Sequence, residues 1–167
     1  MNKFVVPNTE KIARELAVNS QMMVVIKRVL GLPLGSKLEL VKSNFRYVFG
    51  LLNRDYSLGI RLLMEIEILM NRADLRKKQK LIFHNQILDM CLAVKNKMLI
   101  NYFFGLTNKY NLTPVLATAN GEMLVRMLSV VDYPDNLRVL PTGKEFSEKT
   151  KEVLKSAGIK IEKNEKF

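Results

Sequence analysis

The chain has 167 residues, and a domain of this length can bury about two-thirds of the surface that its unfolded chain exposes. The formal charge at pH 7 is +11, from 27 Lys and Arg against 16 Asp and Glu, and this surplus favours a polyanionic partner such as RNA or DNA. A single cysteine and a single histidine argue against a disulfide framework and against a zinc site of Cys and His ligands.

Neither a membrane anchor nor a secretion signal is predicted. The most apolar stretch, residues 58–70, is interrupted by Arg61, Glu65 and Glu67, so it falls short of the run that crosses a bilayer. The first eight residues lack the long apolar core of a signal peptide. We therefore expect a cytoplasmic protein without a membrane partner.

The first two-thirds of the chain are predicted to contain one strand followed by helices. Phe4–Val6 is a short β-branched run that Pro7 stops, which is typical of a strand. Apolar residues then recur at helical spacing with breakers between the segments. This pattern predicts five helices, at about residues 10–30, 37–52, 58–72, 76–94 and 96–110.

From residue 114 onward, strand and helix patterns alternate. Strands are predicted at 114–118, 137–140 and 159–161, with helices at 121–131 and 144–157. Thr142 and Glu145 have capping-box spacing, and Gly158 stands where a left-handed C-cap belongs.

Such alternation predicts right-handed crossovers and parallel strands, with Phe4–Val6 pairing onto the same sheet. The predicted fold is a single α/β domain over residues 1–167. It has a short parallel sheet of about four strands joined by helical crossovers, and a helix-rich insertion at about residues 37–110.

Three segments should meet beyond the carboxyl ends of these strands, where ligands of parallel sheets bind. They are residues 7–9, 118–122 and 141–144, and each places a polar side chain beside a helix N-terminus, which suits an anion. The alternative is that Asn8, Asn120 and Thr142 serve only as helix caps.

Charged residues of the central helices supply further candidates. Arg72, Arg76 and Lys80 recur every four residues, and on a continuous helix they would form a basic stripe for phosphates. The alternative is an ordinary solvated helix end. Glu65 lies in an apolar helix, where a carboxylate needs either a structural partner or a role in a polar or metal site.

Two segments resemble parts of the PIN-domain family: Lys3–Thr9, and Asn101-Tyr-Phe-Phe-Gly through Met127-Leu128. In that family a first strand carries an aspartate, and later an acid opens a helix and another follows a strand. The resemblance implies an acidic, metal-holding cluster for phosphodiester hydrolysis. The corresponding positions here are Asn8, Asn101 and Asn120, with Glu65 as the retained acid.

Asparagine contributes no charge, whereas divalent ions at phosphoryl sites rely on carboxylates. The leading hypothesis is therefore a PIN-like domain that binds RNA or DNA without efficient cleavage, through Asn8, Asn101, Asn120, Arg72, Arg76 and Lys80. One alternative is an active Mg- or Mn-dependent nuclease using Glu65 and Glu122, with Asp89 as a further candidate acid; no metal or cofactor is otherwise predicted. A second is a domain that binds a protein, a second copy of itself or a small ligand, with incidental charge.

Overall fold

The computed structural model describes residues 4–5, 15, 18, 21–44, 56–70 and 79–163. The chain divides into two compact units, one of residues 1–6 and 76–167 and the other of residues 7–75. We call them the sheet unit and the helical unit. The expectation that residues 1–167 form a single domain stays a prediction.

In chain order the described elements are β1 (Phe4–Val5), α1 (Gln21–Leu30), α2 (Leu34–Asn44), α3 (Tyr56–Met70), β2 (Lys80–Phe83), α4 (Asn85–Ala93), α5 (Lys97–Lys109), β3 (Thr113–Thr118), α6 (Gly121–Leu128), β4 (Arg138–Pro141), α7 (Glu148–Ser156) and β5 (Lys160–Ile161). The predicted α/β fold with a parallel sheet and helical crossovers is confirmed. Among the described helices, none is long and apolar enough to cross a bilayer.

The sheet has five strands in the spatial order β1-β2-β3-β4-β5, and every neighbouring pair is parallel. Spatial order therefore equals chain order, so each crossover moves one strand further in the same direction. Crossovers between neighbouring parallel strands are right-handed in nearly all proteins, so we expect α4, α5, α6 and α7 on one face of the sheet. In agreement, α6 packs against both α4 and α7.

The three central strands, β2 to β4, are buried on both faces. On one face the ring of Phe83 lies 4.9 Å from that of Phe103 on α5, and the opposite face carries a buried cluster of Ile82, Val115, Ala117 and Leu140. Strands covered on both sides have nearly continuous apolar sequences. This explains why Pro114 to Ala117 shows no polar alternation.

The helical unit is built around α3, whose residues 62–66 are all buried, as its nearly uninterrupted apolar sequence predicts. Arg28 on α1 donates to Glu67 on α3 and to Glu15, the latter at 3.1 Å. Glu65, only 2% exposed, accepts a hydrogen bond of 2.6 Å from Asn44 Nδ2 on α2. A buried carboxylate that accepts such a bond has a structural role in this unit.

The predicted helix at 76–94 is wrong for its first described part. Residues 80–83 form β2, which pairs with β1 on one side and β3 on the other, and only Asn85–Ala93 is helical. The helix-rich insertion at about residues 37–110 therefore also contains a strand. With β2, the sheet has five strands, where about four were predicted. Lys80 opens β2 and so does not continue a helical stripe.

Lys80 begins β2 at the amino edge of the sheet and is 7% exposed. Its Nζ lies 2.7 Å from Oε1 of Glu162, which follows β5 and also accepts from Arg138 Nη1 at 2.7 Å. Burial opposes ionisation of Glu162, but the hydrogen bonds from the two cations outweigh it and lower the pKa of the carboxyl. This ion cluster ties three strands together.

Three helices end in the same Schellman motif, in which a residue with positive φ follows the last turn. The residue is Gly158 after α7 (φ 74°), Asn111 after α5 (φ 52°) and Lys95 after α4 (φ 55°). The prediction for Gly158 is confirmed. Lysine is the unusual occupant, because glycine and asparagine adopt this conformation most readily.

The capping box at the start of the last helix was predicted wrongly. Helix α7 begins only at Glu148, and its N-cap is Ser147, whose hydroxyl accepts from the backbone N–H of Thr150 at 3.3 Å. Thr142 and Glu145 precede this helix. A serine cap supplies the same hydrogen bond as a threonine cap, so local sequence allows both positions.

Candidate functional site

The carboxyl ends of β2, β3 and β4 lie along one edge of the sheet because the strands are parallel. We call this the carboxyl edge and define it by His84 after β2, residues 118–120 at the end of β3, and residues 141–144 at the end of β4. The strand register pairs Phe83 with Leu116 and Thr118 with Pro141. The three chain segments are therefore neighbours.

Thr118 holds the carboxyl edge together. Its side chain is fully buried, and its Oγ1 donates a close hydrogen bond to Asp89 Oδ1 on α4. The same hydroxyl accepts from Asn120 N at 2.9 Å, and the Thr118 carbonyl accepts from Thr142 N at 2.9 Å. One residue thus fixes the positions of segments from α4, β3 and β4.

Asn120 caps α6, as one of the two sequence interpretations predicts. Its Oδ1 accepts from Met123 N at 3.2 Å, and its Nδ2 lies 3.0 Å from Met123 Sδ. The side chain is exposed, so a ligand can reach it while the cap is kept. Its role in nucleic-acid binding stays a prediction.

Two buried polar atoms at the carboxyl edge, His84 Nδ1 and Thr142 Oγ1, have no hydrogen-bond partner among the described residues. Such orphaned atoms are rare because each costs about 1–3 kcal/mol when left unsatisfied. Lys144, two residues after Thr142, is exposed and forms no ion pair within the described ranges. Gly143, between Thr142 and Lys144 in the sequence, has a φ of 83° and open space at its Cβ position.

The carboxyl edge is suited chemically to an oxyanion. The first N–H groups of a helix have no partner within the helix, and α6 starts directly at this edge. Together with a cation and an unpaired hydroxyl, such N–H groups bind phosphate oxygens. The arrangement contains donors for a phosphoester and a cation to balance its charge.

The other predicted residues are distributed over the molecule. Asn101 is exposed in the second turn of α5, and Glu122 is exposed in the first turn of α6. Lys80 lies at the opposite, amino edge, and Glu65 belongs to the helical unit. Asn8, Arg72 and Arg76 lie outside the described residues.

Of the three asparagines predicted to meet at the strand ends, Asn120 lies there and Asn101 lies within a helix. The first strand does join the sheet, but β2 separates it from β3. His84 therefore follows β2, the strand between β1 and β3, and neighbouring strands of a sheet are about 4.8 Å apart. The sequence prediction placed His84 on the polar side of the helix at 76–94 and not at the strand ends, although it stands directly after an apolar run.

Within the described ranges, no group of three or more His, Cys, Asp or Glu side chains is arranged to hold a metal ion. The fold and the carboxyl edge define a parallel α/β protein with a candidate anion site at its strand ends. Comparison of this chain with known protein families, curated proteins and solved structures finds no match.

Proposed function

We propose that this protein is a cytoplasmic, PIN-like domain that binds RNA or DNA at the carboxyl edge of its sheet, without efficient cleavage of the bound strand. The supporting observation is that the segments of the carboxyl edge contain two polar atoms without a hydrogen-bond partner among the described residues, His84 Nδ1 and Thr142 Oγ1, together with the exposed cation of Lys144, which has no ion-pair partner there either. A backbone phosphate offers acceptor oxygens and the opposite charge to these groups.

The charge distribution supports the proposal. The sheet unit has seventeen Lys and Arg against nine Asp and Glu, a surplus of eight, and the helical unit has ten against seven, a surplus of three. Most of the net charge of +11 thus belongs to the unit that carries the carboxyl edge. A cationic surface raises both the association rate and the affinity for nucleic acid.

Efficient hydrolysis is left out of the proposal because the described candidate residues offer little charge to a divalent ion. Asn101 and Asn120 are neutral amides, and the Asn120 oxygen already accepts the capping hydrogen bond. The Glu65 carboxylate accepts from Asn44 inside the helical unit. Hard divalent cations at phosphoryl sites rely on carboxylate oxygens.

Fluorescence anisotropy with labelled RNA and DNA oligonucleotides of about 20 nucleotides, at salt concentrations from about 50 to 200 mM, tests this proposal. We expect a linear fall of log K with log salt. Lys144→Gln should weaken binding and reduce the slope by about one phosphate contact. Lys160→Gln, an exposed lysine at the amino end of β5, is the matched control and should change neither quantity.

A second variant separates charge from structure at the same edge. Asn120→Asp keeps the helix cap, because aspartate caps as well as asparagine, but it adds a negative charge that repels phosphate. Binding should weaken with no loss of stability. Absence of binding at low salt, or binding insensitive to salt, would contradict the proposal, and manganese-stimulated cleavage lost in Glu65→Gln would replace it with the nuclease alternative.

A further inference from the structure

A groove next to the carboxyl edge is lined by residues from the end of α4, the start of α5 and α6. Its volume is about 310 Å³. Its apolar floor consists of Leu92, Met123, Met127 and Val130. Met123 and Met127 fall on one side of α6 because they are spaced by four residues, and Val130 lies in the turn directly after this helix.

Three cations also line this groove: Lys95, Lys97 and Arg126. All three side chains are exposed, and none has an ion-pair partner in the part of the chain that the structure describes. Glu122 lies one turn before Arg126 on α6 but forms no ion pair with it in the described structure. The groove therefore combines an apolar floor with uncompensated positive charge.

The turn between α4 and α5 fixes two of the cations. Lys95 N donates to the Leu92 carbonyl at 3.2 Å, and Asn96 N donates to the Cys91 carbonyl at 2.9 Å. Asn96 then caps α5 through Leu99 N at 3.1 Å. Lys95 and Lys97 flank this cap in the sequence, and both line the groove.

Lys95 occupies a backbone conformation that disfavours lysine. Its φ of 55° is the left-handed conformation in which glycine is usual at the end of a helix. The sequence uses glycine in the equivalent position after α7. A residue that makes the backbone conformation less favourable is expected where its side chain has a function.

Three further apolar side chains are exposed on the helix ends that contribute to the groove. Met90 is 52% exposed, Val94 68% and Met98 63%, and they lie on the same two helix ends that form the groove. Apolar residues near a cleft mark an interaction surface, and methionine adapts its shape to a partner. The groove and these exposed side chains offer apolar contacts to the apolar face of a helix from another protein.

We propose that this groove docks an acidic amphipathic helix of a partner protein, with apolar side chains on the floor and carboxylates against Lys95, Lys97 and Arg126. Charge complementarity identifies this occupant. A second copy of the chain, with its net charge of +11, would be repelled. Nucleic acid has the charge to pair with the cations, but its phosphates make no favourable contact with the apolar floor.

A synthetic peptide of about 18 residues, with Leu at positions i, i+3, i+4 and i+7 and Glu on the flanks, is the probe. Its controls are a scrambled peptide of the same composition and a peptide with Lys in place of Glu. Anisotropy measures binding to the full-length protein, and the methyl NMR signals of Met123 and Met127 report where the peptide binds.

We expect the acidic amphipathic peptide to bind and to shift both methionine signals, and both control peptides to bind roughly tenfold more weakly or not at all. The double substitution Lys97→Gln with Arg126→Gln should weaken binding roughly three- to tenfold, the range for two partly screened charge pairs. Lys160→Gln should leave it unchanged.

Equal binding of the scrambled peptide, or shifts elsewhere without shifts at Met123 and Met127, would overturn the proposal. The same double variant is also titrated with single-stranded RNA. If it loses RNA affinity and keeps peptide affinity, the groove belongs to the nucleic-acid surface and the docking proposal is wrong. Circular dichroism confirms that each surface variant is folded before these comparisons are made.

Discussion

Lys95→Gly should raise the stability of the protein and at the same time weaken binding of the acidic peptide. A non-glycine residue in the left-handed conformation costs about 1–2 kcal/mol, and the φ of Lys95 is 55°. Glycine removes this strain but gives the unfolded chain more freedom, which offsets about 0.4–1 kcal/mol. The net gain in the free energy of unfolding is about 0.5–1 kcal/mol, or a rise of about 1–4 °C in Tm for a chain of this length.

Urea and thermal unfolding followed by circular dichroism measure the stability, and anisotropy with the acidic peptide measures the affinity. Lys95→Ala is the first control, since alanine keeps the strained backbone and loses the cation. It should lower peptide affinity as much as Lys95→Gly does, without the gain in stability.

Asn111→Gly is the second control, because Asn111 occupies the same motif after α5 with a φ of 52°. Asparagine tolerates this conformation better than lysine, so this variant should gain only a few tenths of a kcal/mol and leave peptide affinity unchanged. A Lys95→Gly protein no more stable than the parent would refute the strain argument. Unchanged peptide affinity in both Lys95 variants would refute the role of this cation in docking.

Four further predictions concern the sheet unit. Glu162→Gln should lower the free energy of unfolding by about 1–3 kcal/mol near neutral pH. The two cationic partners hold the pKa of the Glu162 carboxyl below its ordinary value of 4.5. In acid titrations, the difference in stability between parent and variant should therefore be complete above this ordinary value and should disappear as the pH falls through the folded-state pKa. Cys91 is 2% exposed, and burial raises the pKa of its thiol to about 11, so a thiol reagent at about pH 8 should react only after urea unfolding. Gly121→Ala should cost about 1–3 kcal/mol in urea unfolding, because its Cβ would lie 2.7 Å from the Phe146 ring. Gly105→Ala in α5, which has open space, should instead gain about 0.5–1 kcal/mol.

The alternating part of the fold follows from local sequence. Residues 113–161 form β3, α6, β4, α7 and β5 in the predicted order, because each element has its own periodicity and short connections leave few topologies. Strand β2 escaped prediction. Its run Lys-Leu-Ile-Phe is only four residues long, and lysines and arginines at helical spacing precede it; its conformation is decided by ladders to β1 and β3, which are non-local.

The same limit applies to the candidate sites. Chain order and parallel strands were enough to predict that residues 118–122 and 141–144 meet at one edge. The fate of Lys80 could not be predicted, since its partner Glu162 is 82 residues away. The groove was missed for a similar reason, because no sequence pattern shows that Lys97 on α5 and Arg126 on α6 line one pocket.

Helix α6 takes part in both proposed surfaces, and this decides which variants can separate them. Its N-cap, Asn120, lies at the carboxyl edge, while Met123, Arg126 and Val130 line the groove. Asn120→Ala would remove a cap worth about 1 kcal/mol and disturb both surfaces together, so its effect on either ligand would be ambiguous. Lys144→Gln changes only the carboxyl edge and Lys97→Gln only the groove. If the two surfaces have separate ligands, each of these variants weakens one ligand and leaves the other unchanged, whereas a single continuous nucleic-acid surface requires both variants to weaken RNA.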